Sequence, residues 1–170
     1  MNQPRKILIA GIGSAHGDDQ AGWLVAEHLA ARIRDCGDIK IRKAMIPLDL
    51  LDWLDGVDIL HVCDACEMTP CPEKLHRFTW VAAQWMKSDQ CREADIHVRL
   101  RSPGSGGSHD FGLIEVLRLA AETRQLPQQV IIWAVEGLDF NPEGTISSFA
   151  RIAAGQAADA IFNDLRIHDA

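Results

Sequence analysis

Three stretches of the sequence carry side chains that could bind a divalent metal ion. Asp18 and Asp19 end a glycine-rich segment near the amino terminus. Asp64 directly follows a run of apolar residues, and His109 follows a stretch rich in glycine and serine. Two carboxylates and one neutral imidazole suit a divalent transition metal that keeps open coordination positions. We therefore predict that Asp19, Asp64 and His109 form a metal-binding trio, provided that the fold brings them together.

The pair Asp18-Asp19 also has a purely structural interpretation. An aspartate before a helix commonly caps it, and a second carboxylate in the first turn complements the positive end of the helix dipole. We predict that Asp18 caps the helix. Asp19 would then point from the first turn into the crevice that receives the end of the strand before Asp64.

Asp64 and His109 differ in how well structure alone explains them. An aspartate straight after a buried parallel strand lies at a low-dielectric edge, where an unpaired carboxylate is costly. A functional role for Asp64 is therefore favoured. His109 could be a solvated residue in a helix capped by Ser108. Alternatively, the helix N-terminus keeps its imidazole neutral near pH 7 and able to bind metal.

The glycines of the segment Gly11–Asp19 invite comparison with nucleotide-binding loops. In a dinucleotide-binding turn the place of His16 needs a small residue, and an acidic residue should follow the second strand, where Ala44-Met45 stands. A phosphate loop is excluded because no Gly-Lys-Ser/Thr follows and two carboxylates would repel the phosphate. A bound nucleotide is therefore disfavoured.

The sequence disfavours two other kinds of site, a zinc site and a serine nucleophile. Cys63, Cys66 and Cys71, followed by His76, have a spacing compatible with zinc. However, the strand pleat should direct Cys63 away from its neighbours, and small cysteines are commonly buried, so core packing is preferred. No Gly-x-Ser-x-Gly motif indicates a serine hydrolase.

The elements that must position these residues alternate between strand and helix. Strand-like patterns occur in five segments: Lys6–Ala10, Asp38–Ala44, Val57–Cys63, Val130–Val135 and, more weakly, Lys74–Trp80. Helical spacing occurs in four: Asp18–Arg34, Pro47–Leu54, His109–Glu122 and Gly144–Leu165. Most of Val81–Gly107 has no assignment. The alternation predicts a single-domain three-layer α/β/α fold over residues 1–170, with a mostly parallel twisted sheet whose sites collect outside the carboxyl ends of the strands.

Composition narrows the class of protein. The 170 residues are 47% hydrophobic and 24% charged, which is typical of a globular protein and excludes a disordered one. A net charge of -7 without a basic cluster argues against nucleic acid and anionic membranes as partners. An odd number of cysteines, five, indicates reduced thiols, and no apolar run reaches the ~18 to 20 residues of a membrane span. We expect a cytoplasmic protein.

The sequence resembles the hydrogenase maturation protease family. The resemblance lies in Ile7–Gly22, Leu60–Ala65, Gly107–Leu113 and, more faintly, Trp133–Gly137, and so extends over most of the chain. These endopeptidases remove a C-terminal tail from the large subunit of nickel-iron hydrogenases after nickel insertion. The resemblance implies a twisted sheet between helix layers and a hydrogenase large-subunit precursor as partner. It also implies contact between the precursor's nickel and a trio carried here by Asp19, Asp64 and His109.

The sequence departs from the family pattern at several positions. Ser14 stands where the family usually has Asn, His16 is unusual in its loop, Gln20-Ala21 replaces a glycine-containing pair, and Val135 replaces a common Pro. All three proposed ligands remain. The alternative function is a non-proteolytic metallochaperone or hydrogenase assembly factor that uses the same trio.

Overall fold

The computed structural model describes residues 4–33, 37–67, 75–81, 84–87 and 112–168. In these residues one sheet contains six strands: β1 (Ile7–Ile12), β2 (Ile39–Ala44), β3 (Ile59–Glu67), β4 (Leu75–Val81), β5 (Gln84–Lys87) and β6 (Gln129–Gly137). Their order is β2-β1-β3-β6-β4-β5. The first four strands in that order are parallel, whereas β4 is antiparallel to both β6 and β5. We call the side where the four parallel strands end the carboxyl edge.

Helices cover both faces of the sheet. The described helices are α1 (Ala21–Arg32), α2 (Leu113–Glu122) and α3 (Ser148–His168), with 3-10 helices at Gly17–Gln20 and Pro47–Asp52. One face packs against α1 and α3, and the other packs against α2 and the Pro47–Asp52 helix. The predicted three-layer α/β/α architecture with a mostly parallel sheet is therefore confirmed. None of the described helices is long and apolar enough to cross a membrane.

The burial of each strand explains its sequence pattern. Every residue of β1 is buried, as are all residues of β3 except Glu67, because helices lie on both faces of these central strands. Their sequences are accordingly almost continuous apolar runs. By contrast β2 is an edge strand whose burial alternates, which accounts for its mixed apolar and polar sequence.

Several predicted boundaries were wrong. β3 does not end at Cys63 but continues to Glu67, because each added residue pairs with β6 up to Glu67 opposite Gly137. The helix predicted from Asp18 starts as the 3-10 turn Gly17–Gln20, and the predicted helix Pro47–Leu54 is also 3-10. The last helix begins at Ser148 rather than Gly144, since Ser147 Oγ accepts a hydrogen bond from the Ala150 amide as an N-cap does.

Two glycines let α1 lie directly against the strand ends. A Cβ atom on Gly22 would lie 2.0 Å from the carbonyl oxygen of Ile12 and 2.6 Å from that of Cys63. A Cβ atom on Gly11 would lie 2.1 Å from the carbonyl oxygen of Gly22. Backbone therefore packs on backbone, and this close approach holds the loop between β1 and α1 at the carboxyl edge.

Candidate active site

Asp64 lies inside β3, not after it. It pairs with Ala134 of β6, and alternation places it on the same face as Val62 and Cys66, the face that α2 covers. The residue is only 5% exposed, and Oδ1 accepts a hydrogen bond of 2.9 Å from the Ala65 amide. Asp64 is thus a carboxyl group built into a buried strand near the carboxyl edge.

Asp19 interacts electrostatically with Asp64. Burial raises the pKa of Asp64 well above its ordinary value, the negative charge of Asp19 raises it further, and the Ala65 amide lowers it by less. The structure therefore brings two of the three predicted ligands together. Their mutual repulsion is what a bound cation would relieve.

The backbone at Asp19 is held against the loop that leaves β1. Asp19 is half-buried in the 3-10 turn, and its amide donates to the His16 carbonyl over 3.0 Å. A Cβ atom on Gly13 would lie 2.2 Å from the Asp19 carbonyl oxygen. Only glycine at position 13 permits this approach, so the glycine-rich segment serves to place Asp19.

Asp18 does not cap α1, contrary to the prediction. Gln20 occupies the N-cap position of α1 and makes no side-chain capping bond. The buried carboxylate of Asp18 instead accepts hydrogen bonds from residues of the loop between β6 and α3, which we call the β6–α3 loop (Leu138–Ser147). Burial would raise the pKa of Asp18, but the bonds from Ser147, Leu138 and Asp139 together lower it below its ordinary value.

His109, the third predicted ligand, lies outside the described residues. The helix that follows it begins at Leu113, and Gly112 is its N-cap residue, with extended backbone (φ -67, ψ 169). The helix therefore starts at Leu113 and not, as predicted, at His109, and Ser108 also lies outside the described residues. The role of His109 as a ligand stays a prediction. Among the described residues, no three His, Cys, Asp or Glu side chains form a group that could hold a metal ion.

Three residues that depart from the family pattern, Ser14, His16 and Gln20, lie in different environments. The Ser14 hydroxyl oxygen is buried and has no hydrogen-bond partner among the described residues. His16 is exposed, whereas Gln20 donates from Nε2 to the Gly17 carbonyl over 3.1 Å and closes the 3-10 turn. Gln20 therefore supports the turn that carries Asp19.

A buried pair, His76 and Glu136, was missed as a unit by sequence reasoning. His76 Nε2 lies 2.8 Å from Glu136 Oε1. His76 pairs with Ala134, which pairs with Asp64 on its other side, so His76 and Asp64 share a sheet face two strands apart. The available signal was a glutamate inside an apolar strand, because a buried carboxylate requires a polar partner.

Of the cysteines whose spacing is compatible with zinc, the two described ones, Cys63 and Cys66, do not lie on the same side of the sheet. Cys63 packs on the α1/α3 side of the sheet and Cys66 on the α2 side, so the two buried thiols face away from each other. Core packing is confirmed for both, while Cys71 lies outside the described residues. Burial and the charge of Asp64 raise the pKa of the Cys63 thiol.

Comparisons with known proteins find likeness in structure alone. No family profile matches the sequence, and no curated protein matches it. The hydrogenase maturating endopeptidase HybD from Escherichia coli has a TM-score of 0.71 at 17% identity, covering 96% of this chain and 93% of its own. A hydrogenase 2 maturation peptidase from Thaumarchaeota archaeon SCGC_AB-539-E09 has a TM-score of 0.61 at 21% identity, covering 95% and 98%. The [NiFe] hydrogenase maturation protease HycI from Thermococcus kodakarensis has a TM-score of 0.61 at 20% identity, and the match covers 95% of this chain and 92% of that one. The chain therefore has the fold of the hydrogenase maturation proteases.

Proposed function

We propose that this protein is an endopeptidase that removes a C-terminal tail from a nickel-iron hydrogenase large-subunit precursor after recognising its bound nickel. The observation that carries the proposal is the electrostatic coupling of Asp19 and Asp64 at the carboxyl edge. This edge is where sites form in open α/β sheets, and the fold is that of solved hydrogenase maturation proteases. A carboxyl group whose pKa is raised by burial and by a neighbouring carboxylate is suited to exchange a proton for a metal ion.

Each residue has a distinct part in this function. Asp19 and Asp64 supply oxygen ligands to the nickel of the precursor, and His109 supplies an imidazole nitrogen. The metal belongs to the substrate, the precursor protein, in this proposal. Asp19, Asp64 and His109 would hold the nickel, which would supply Lewis acidity to the scissile carbonyl or to a water molecule beside it.

The proposal also includes the domain organisation, the cellular compartment and the partners of the protein. We assign the whole chain, residues 1–170, to one domain that works in the cytoplasm on the precursor protein, without nucleic acid or membrane as partner. The net charge of -7 and the odd number of cysteines support this setting.

Cleavage of a purified, nickel-loaded precursor, followed by mass spectrometry, tests the proposal. The unaltered protein should release the tail, whereas Asp19→Asn, Asp64→Asn and His109→Gln should each abolish release with the fold retained. Asp49→Asn is the matched control. Its carboxylate also bonds to backbone at the carboxyl edge, accepting from the amides of Met45 and Ile46 over 2.9 and 3.3 Å.

Two outcomes would contradict parts of the proposal. Full cleavage by His109→Gln would refute its assignment as a ligand. No cleavage of any cognate precursor by the unaltered protein would refute the peptidase activity and favour the metallochaperone or assembly factor.

A further inference from the structure

Four hydrogen bonds converge on the carboxylate of Asp18. Oδ2 accepts from the amides of Leu138 and Asp139 over 2.6 and 3.1 Å and from the Ser147 hydroxyl over 2.8 Å. Oδ1 accepts from the Ser147 amide over 2.6 Å. One fully buried side chain therefore joins the beginning and the end of the β6–α3 loop.

The backbone around Asp18 adds bonds in the opposite direction. The Asp18 amide donates to the Asp139 carbonyl over 2.7 Å, and the Gly17 amide donates to the Gly144 carbonyl over 2.9 Å. Glycines make this contact possible on both sides. A Cβ atom on Gly17 would lie 2.3 Å from the Asp139 carbonyl oxygen, and one on Gly137 would lie 2.7 Å from the Asp18 Cβ atom. The two segments are thus in direct contact along their backbones.

Asp19 is the next residue in the same 3-10 turn. Successive side chains of a 3-10 helix point about 120° apart, because the helix has 3.0 residues per turn. When Asp18 is directed into the β6–α3 loop, Asp19 must therefore point elsewhere. Its charge acts on Asp64. The orientation of one carboxylate thus follows from the anchoring of the other.

We propose that Asp18 is a positioning residue, which anchors the Gly17–Gln20 turn to the β6–α3 loop and thereby sets where the Asp19 carboxylate lies relative to Asp64. The inference rests on the proposed function, in which Asp19 and Asp64 share the metal of the precursor. It gives the two neighbouring aspartates separate tasks: Asp19 binds, and Asp18 holds Asp19 in place.

Asparagine at position 18 is a selective test because it retains the size of the side chain. All four groups that contact the carboxylate are donors. The NH2 group of an asparagine would face at least one backbone amide in either orientation, so the anchor is broken without creating a cavity.

The experiment measures the affinity of the metal-free protein for Ni²⁺ and Cd²⁺ by calorimetry. Four proteins are compared: unaltered, Asp18→Asn, Asp19→Asn and the double variant. Asp18→Asn should bind about 10-fold more weakly than the unaltered protein, as expected for a residue that orients a ligand. In the Asp19→Asn background the same change should weaken binding less than about 2-fold, because the ligand that Asp18 positions is already lost.

A purely structural role of Asp18 would lower the affinity by the same factor whether residue 19 is aspartate or asparagine. Under the proposal, Asp18→Asn should lower the stability towards urea equally in both backgrounds, whereas its effect on affinity should depend on Asp19. The control, Asp49→Asn, should leave affinity unchanged. Equal affinity of the unaltered and Asp18→Asn proteins, or equal losses in both backgrounds, would overturn the proposal.

The remaining outcomes are also decisive. If Asp18→Asn fails to fold, Ser147→Ala replaces it. This variant removes one of the four bonds to Asp18, together with the capping bond from the Ala150 amide, and should weaken binding in the same direction by a smaller factor. Unchanged affinity in that variant would overturn the inference. If the unaltered protein binds neither ion, the two-carboxylate site is itself refuted and the proposed function falls with it.

Discussion

Nε2 of His76 lies 2.8 Å from Oε1 of Glu136, and both side chains are buried where β4 and β6 pair. The pair stands on the sheet face that also carries Asp64, with Ala134 between them. Burying polar groups of this kind is tolerated when they have polar partners, as these two side chains do. The sheet face that carries Asp64 therefore also buries the polar pair His76 and Glu136 among apolar side chains.

Removal of one partner from this pair should be strongly destabilising. Glu136→Leu takes the carboxylate away from the buried imidazole and should lower the free energy of unfolding by about 3 to 5 kcal/mol. Urea denaturation monitored by circular dichroism measures it. The control is Glu143→Leu at an exposed position, which should stay within about 0.5 kcal/mol. A loss below about 1 kcal/mol for Glu136→Leu would show that the pair does not stabilise the fold.

Gly22 should not tolerate a methyl group. Alanine there would place Cβ 2.0 Å from the Ile12 carbonyl oxygen, so α1 must move away from the strand ends, and we expect a loss of more than about 2 kcal/mol. Gly155→Ala is the matched control, because its nearest neighbour is the His28 ring at 4.0 Å. That variant should gain about 0.5 to 1 kcal/mol through helix propensity. Thermal melts of both variants test this prediction. Equal changes in Tm would refute the close packing of α1 against the strand ends.

Asp64→Asn should stabilise the metal-free protein. Because the folded pKa of Asp64 is raised, the native state binds its proton more tightly than the unfolded chain does. The stability that this proton contributes is fully present below the unfolded value of 3.8 and is lost as pH rises through the folded pKa. At pH 7 the variant should gain about 1 kcal/mol.

Urea unfolding in chelator across the pH range checks this expectation. The unaltered protein should lose stability relative to Asp64→Asn as pH rises, whereas Asp55→Asn, at an exposed position, should follow the unaltered protein. A destabilised Asp64→Asn with no change in pH dependence would show that the carboxylate is stabilising in the absence of metal.

The thiols of Cys63 and Cys66 should be inert while the protein is folded. Both are buried, and burial and the Asp64 charge hold the pKa of Cys63 above its ordinary value, so little thiolate is exposed to a reagent. Iodoacetamide should modify them only in denaturant, as read by peptide mapping. A reductant should change Tm by less than about 1 °C, because no disulfide is lost. A large fall in Tm on reduction would reveal a disulfide and contradict the expected reducing compartment.

Local sequence patterns were sufficient to predict the layered architecture and the residue types of the candidate site. Continuous apolar runs in β1 and β3 predicted central strands, because only strands covered on both faces lack polar alternation. The positions of Asp19 and Asp64 near the ends of such strands predicted a shared edge, because parallel strands end together. These predictions depend only on patterns within short stretches of consecutive residues.

Tertiary contacts determine which groups bind Asp18. Its local position predicted a helix cap, whereas its carboxylate accepts hydrogen bonds from the β6–α3 loop. These donors lie 120 and 129 residues further along the chain. The extension of β3 through Asp64 likewise depends on pairing with β6, and the His76–Glu136 pair joins residues 60 positions apart. Such contacts form only when the chain folds, because their free energy depends on which groups distant in sequence are buried next to each other.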